Sequence, residues 1–121
     1  MDLENMGTEK QMELAGNSDT SKDILRELAR AKMSAVRSYV AVNYNTPLAS
    51  LQDLAKDEDW IVRRNVVMNR NSSSKILCMV LDFEKSLINP SSYVIKALFA
   101  HQDKLPHIAK VIIKTLYGDM L

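Results

Sequence analysis

A single cysteine, Cys78, stands in 121 residues. An internal disulfide framework is therefore excluded, and the chain fits a reducing compartment. Glycine and proline number only three each. Both interrupt helices, so their scarcity suits a mostly helical chain with short connections. Aromatics make up 6%, which leaves the core to Leu, Val, Ile, Ala and Met. No stretch approaches the roughly 20 apolar residues that a membrane helix needs. The first residues, Met1-Asp2-Leu3-Glu4-Asn5, are acidic and lack the apolar run of a signal peptide. The expectation is a soluble, cytoplasmic protein without a membrane partner.

Reactive constellations are also missing. His101 and His107 lie six apart, do not share a helix face, and have no Cys or carboxylate cluster to complete a metal shell. There is no glycine-rich phosphate loop, and Cys78 has no evident base beside it. Cys78 reads as a small buried hydrophobe. The reading is non-enzymatic: no catalytic residue, no cofactor and no metal.

What is present is a period. Asn17-Ser18-Asp19-Thr20, Asn43-Tyr44-Asn45-Thr46 and Asn69-Arg70-Asn71-Ser72 open three blocks, each 26 residues after the last. Within the first two blocks Leu25 matches Leu51, Leu28 matches Leu54, Ala29 matches Ala55, Val36-Arg37 matches Val62-Arg63, and Val40 matches Val66. A fixed period in this range marks a stacked repeat architecture. His101-Gln102-Asp103 takes the place of the next signal, 32 residues after Asn69, so the third block carries an insertion.

Punctuation places the helices. Thr20, Thr46 and Ser72–Ser74 read as N-caps, with Pro47 at a first helical position. Asn43 and Asn69 read as helix ends, since Asn tolerates the left-handed conformation that closes a helix. Ile24, Leu25, Leu28 and Ala29 fall on one face, as do Leu48, Leu51, Leu54 and Ala55. The third block predicts a helix bearing Ile76, Leu77, Val80 and Leu81 and running on to Leu87 and Ile88. A last helix over 106–117 should bear Ile108, Ala109, Ile112, Ile113 and Leu116 on its apolar stripe, and the C-terminal helix pair has the extra length of a cap. Residues 1–16 lack sustained periodicity and read as a flexible acidic leader to a 17–121 domain, with room for a short helix over Glu9–Leu14. Residues 1–20 hold five acidic groups against Lys10 alone, a net −4, while 21–121 hold 15 basic and 10 acidic groups, a net +5.

The string from Asn43 to Asn69, with Thr46-Pro47, Leu51, Leu54-Ala55, Val62-Arg63 and Val66-Val67, resembles the leucine-rich repeat variant. The segment from Asp57 to Arg63 is similar to the central signature of HEAT-type repeats. The resemblance covers roughly half the chain and weakens after about residue 82. It implies an all-α fold, a right-handed α-α superhelix (solenoid) of about three and a half short helix pairs. It also implies a protein-interaction scaffold whose second helices line the concave surface. The iron–sulfur cluster of the variant family does not carry over to a chain with one cysteine.

Arg37 and Arg63 occupy equivalent positions, and the resemblance implies a structural ladder in which Asp57 or Asp59 serves Arg63. Arg64, Arg70 and Lys75 have no obvious partner. Together with Asn65 and Met68 they form the candidate binding set, a basic patch about one repeat wide. Trp60, Tyr39 and Tyr44 are the aromatics expected to be partly exposed, with Trp60 packed on the turn before it. The leading expectation is an adaptor that binds a protein or peptide. Nucleic-acid backbone binding through the basic patch is the alternative. A third is self-association through an exposed end of the stack, giving a monomer or weak homo-oligomer.

Overall fold

The computed structural model describes residues 2–121. They form eight α-helices: α1 (Thr8–Gly16), α2 (Lys22–Leu28), α3 (Ser34–Val42), α4 (Leu48–Leu54), α5 (Trp60–Met68), α6 (Ser74–Ser86), α7 (Ser92–Ala100) and α8 (His107–Tyr117). Short 3₁₀ turns cover Gln102–Lys104 and Gly118–Met120, and no strand occurs among the described residues. The fold is all-α. α1 packs on α3, α3 on α5 and α5 on α7, while α2, α4 and α6 each pack on the helix that follows. Leu28, Val40, Leu51, Val62, Leu77, Val80, Ile95 and Leu98 lie in one continuous core between these two sets.

The 26-residue step governs the helix starts. Thr8, Ser34 and Trp60 open α1, α3 and α5, each nine residues long. The step therefore extends into residues that sequence patterning leaves as a leader. Met1 lies outside the described residues, but Leu3 is buried and residues 8–16 form a helix whose Ala15 is fully buried. The pattern is hidden because Lys10 and Gln11 stand where α3 and α5 carry Val36-Arg37 and Val62-Arg63.

The asparagines do a different job from the one expected. Asn43 and Asn69 sit in extended geometry, with φ of −75° and −70°, and no described residue has positive φ. Left-handed closure is thus not what selects them. Asn43 Nδ2 donates to the carbonyls of Ala15 (2.8 Å) and Asn17 (2.9 Å), one unit back. Asn69 Nδ2 donates in the same way to Ala41 (2.8 Å) and Asn43 (3.0 Å). Each Oδ1 accepts the amide two residues on, from Asn45 and Asn71 (both 2.9 Å). The carboxamide satisfies helix-end carbonyls that have no partner inside their own helix. The hydroxyls of Thr20, Thr46 and Ser72 likewise donate to Leu14, Val40 and Val66 carbonyls of the preceding helix. The N-cap falls one residue later than expected at Ser21 and Pro47, and at Ser73 it lies within the expected Ser72–Ser74.

Two arginine–carboxylate pairs cross the units. Arg37 Nε meets Asp57 at 2.7 Å, and Arg63 Nε meets Glu84, which is fully buried. Asp57 therefore serves Arg37, and the partner of Arg63 comes from α6 rather than from its own acidic turn. Arg63 reaches that turn only through its backbone, donating to the carbonyls of Asp57 (2.8 Å) and Glu58 (3.1 Å). Glu84 also accepts the Ser91 amide at 2.9 Å, so this one carboxylate ties α5, α6 and the start of α7. α6 ends at Ser86, earlier than its apolar run predicts, and Ile88 is 96% exposed.

Asn69→Ala removes two donors from buried carbonyls and should cost about 1–3 kcal/mol in urea unfolding. Glu84→Ala leaves Arg63 charged without its carboxylate and should cost about 3–5 kcal/mol, whereas Arg63→Met with Glu84→Leu should recover much of that loss. A loss in the double variant equal to the sum of the two single losses would show that the pair is not coupled.

Candidate interaction surface

Residues spaced i, i+3, i+4, i+7 share a helix face. On α3 these are Ala35, Ser38, Tyr39 and Val42, and on α5 Ile61, Arg64, Asn65 and Met68. On α7 the equivalent positions include Tyr93 and Lys96. Tyr39, Val42, Ile61, Met68 and Tyr93 are exposed hydrophobics. Three packed helices thus present a row of aromatic and aliphatic groups to solvent. Tyr39 lies across Gly16 of α1, where an added Cβ would meet the ring at 3.4 Å. The glycine gives room for the tyrosine, and this close approach seats α1 against α3.

Trp60 and Tyr93 meet at the N-terminal edge of this face. Their rings stack at 4.7 Å with an interplanar angle of 17°, and the Arg64 guanidinium lies over Trp60 at 5.4 Å. Trp60 therefore packs across to α7. Asp59 starts α5 by accepting the Ile61 amide at 2.9 Å, which fixes where Trp60 projects. Trp60 and Tyr93 also line a hollow of about 620 Å³ with Glu58, Phe83 and Leu87. A stacked pair beside an arginine and a hollow offers a partner large apolar area with a charged rim, the composition typical of interface anchors.

The candidate binding residues divide on inspection. Arg64, Asn65 and Met68 do share the α5 face. Arg64 has partners that sequence reading did not supply: the Trp60 ring and Asn65 Oδ1, at 3.2 Å from Nη2. Asn65 in turn donates to the Ser38 carbonyl of α3 at 3.1 Å. Arg70 follows α5 and stacks on Tyr44 at 4.2 Å. Lys75 is exposed on α6, in the other helix set. The basic patch is thus two aromatic-backed arginines with Lys75 apart from them. Tyr93, 58% exposed, is the contributor that sequence reading missed. It stands 32 residues after Ile61, the same offset that relates His101 to Asn69, so the insertion length applied to α7 would have found it.

Charge grades along the surface. Glu9 and Glu13 lie on α1, and Arg64 and Lys96 lie on α5 and α7. Cys78 is half-buried, and burial, then the negative Asp82, push its thiol pKa up, away from a reactive thiolate. Among the described residues no group of three or more His, Cys, Asp or Glu is placed to hold a metal, and no helix is long and apolar enough to cross a membrane.

Hydrogen bonding from Ser34 holds the Asp59 carboxyl below its usual value of 3.8, and the Ile61 amide and the Arg37 and Arg63 charges act in the same direction against the opposing effect of burial. A folded-state pKa below the unfolded one stabilises fully above the unfolded value, and this contribution is lost as pH falls through the folded value. Stability should therefore decline on acidification below about pH 4, and Asp59→Asn should flatten that part of the profile. An unchanged acid limb in the variant, read by urea unfolding at stepped pH, would count against this role for Asp59.

No family model, curated protein or solved structure matches this chain.

Proposed function

We propose that this chain is a non-enzymatic repeat scaffold that binds a protein or peptide through the exposed face of α3, α5 and α7. The observation that carries the reading is the Trp60–Tyr93 stack with Arg64 over it, set among Tyr39, Val42, Ile61 and Met68. Isolated exposed hydrophobics are ordinary on a protein surface, but a contiguous row of them across three helices is what interaction sites display. The row needs little ordering on binding, because the Trp60 and Arg64 side chains are already held by neighbours.

The architecture we infer is an α-solenoid of the leucine-rich-repeat-variant or HEAT-like kind, in which helix pairs stack at a step of 26 residues. The recurring asparagine and arginine contacts support it. A phosphate-binding reading has less support, because Arg64 and Arg70 lean on aromatic rings and Lys75 stands apart from both. The place of action we propose is the cytoplasm.

A pull-down with the tagged chain, with and without nuclease, tests the reading. A partner that survives nuclease should lose roughly tenfold or more in affinity on Trp60→Ala or Tyr93→Ala, the scale of an interface anchor. Charge reversal of Arg64, Arg70 and Lys75 should weaken it further. Retention of that partner by both aromatic variants would remove this face from the reading. Recovery of nucleic acid, or of partners that vanish with nuclease, would move the function to phosphate binding, where affinity falls steeply with salt.

A further inference from the structure

Helices α1, α3, α5 and α7 are each nine residues long and lie side by side. Their ends show that they run in one direction. The carboxamides of Asn43 and Asn69 join the C-terminal end of each of α3 and α5 to that of the helix before. Trp60 and Tyr93 stack at the starts of α5 and α7. Equivalent residues therefore stand at equal heights across the four helices.

The row has a charge order. Glu9 and Glu13 are exposed on α1, with Lys10 off their stripe, and Lys96 is exposed on α7. Between them lie exposed apolar groups, Tyr39 and Val42 on α3 and Ile61 and Met68 on α5. Acid, apolar centre and base follow one another across a single face.

We propose that the partner of this face is a second copy of this chain, related by a two-fold axis that runs along the helices between α3 and α5. This rests on the reading of the face given above and names its partner. The rotation lays α1 over α7 of the other copy, and α3 over α5. Val42 and Met68 are 26 residues apart, hence at one height, and they meet. Glu13 and Lys96 differ in height by one residue, about 1.5 Å, which a lysine side chain spans easily. An axis across the helices would instead set α1 on α1 and α7 on α7, bringing like charges together. The charge order thus selects one of the two ways in which the face can meet itself.

The arrangement gives an apolar centre and charged flanks, the usual anatomy of an interface. A net charge of only +1 leaves little long-range repulsion between copies. Four helices of this length, spaced 8–10 Å apart, cover roughly 500 Å² per copy. Twice that lies at the low end for a specific interface, so the dimer is weak and exchanges with monomer.

Sedimentation velocity on the full 121-residue chain, from low micromolar to millimolar concentration, tests this. Mass should rise from monomer to dimer and stop there, because a two-fold junction closes on itself. Glu13→Lys and, separately, Lys96→Glu should each weaken the dimer about tenfold, since every pair occurs twice about the axis. A chain carrying both changes should regain it, and so should an equimolar mixture of the two single variants. Val42→Lys with Met68→Lys sets like charges at the centre and should leave monomer. Both positions are exposed and at helix C-terminal ends, where a cation suits the dipole, so the fold is kept. Circular dichroism checks this for every variant. The proposal is overturned by a wild-type chain that stays monomeric, by growth beyond a dimer, by single reversals without effect, or by a double reversal that does not recover. A monomeric wild type that still captures another protein, and loses it on Trp60→Ala or Tyr93→Ala, overturns the self-pairing alone and leaves the face to that protein.

Discussion

The fold depends on how helix-end carbonyls are satisfied between successive 26-residue units. A nine-residue helix is short, and its last carbonyls have no acceptor role within the helix itself. With one such helix in every 26 residues, the fold would bury a succession of orphaned groups, each costly to leave unpaired. The carboxamides of Asn43 and Asn69 meet this need with two donors apiece, aimed at carbonyls one unit back, while their own Oδ1 atoms shape the following turn. Asparagine suits the position because it is short enough to lie in the turn and carries both donor and acceptor. Asp would set two carbonyls against a carboxylate, and Gln would place the amide a methylene too far.

The arginines solve the complementary problem at the other end of the same helices. Arg37 and Arg63 each donate to two carbonyls of the turn before their own helix and to a carboxylate of the unit after it. The pairs become more deeply buried along the chain: Arg37–Asp57 is partly accessible, and Arg63–Glu84 is enclosed. Asp57 adds directly to the Arg37 contact by hydrogen bonding, which raises the arginine pKa and keeps it charged. At the next step Ile95 takes the arginine's place and is fully buried. There the polar ladder gives way to an apolar core. A longer α6 and the insertion before α7 accompany the change, and the Glu84 carboxylate, bound to both Arg63 and the Ser91 amide, forms the last rung.

Much of this was legible in the sequence, and the misses have physical causes. The period, the helix pairs from Lys22 to Met68 and the buried stripes of Leu51, Leu54, Val62 and Val66 follow from spacing alone, because apolar periodicity reports which face must leave water. α1 was legible only as a short helix over Glu9–Leu14, because a stripe with Lys10 and Gln11 in it carries little apolar signal; its full extent follows from extending the 26-residue step backwards from Asn17. The role of the asparagines escaped because a helix-closing Asn and a bridging Asn have the same local context, and only the recurrence at one fixed step separates them. For the candidate surface, Arg64, Asn65 and Met68 were readable as one face of α5. Lys75 was drawn in by sequence proximity to Arg70 although it belongs to the other helix set, and Tyr93 was lost behind the insertion.

The exposed residues of α8 show the limit of patterning most plainly. Ile108 and Leu116 have the spacing of core residues, and α6 buries the residues at their register, whereas Ile112 between them packs partly against the core. Amphipathic spacing states that a face needs a partner, without stating whether the partner lies in the same chain. Soluble repeat proteins generally finish with a polar outer face. The α1 side comes closer to this, with Lys10, Glu9 and Glu13 exposed, whereas α8 remains apolar over more than one face.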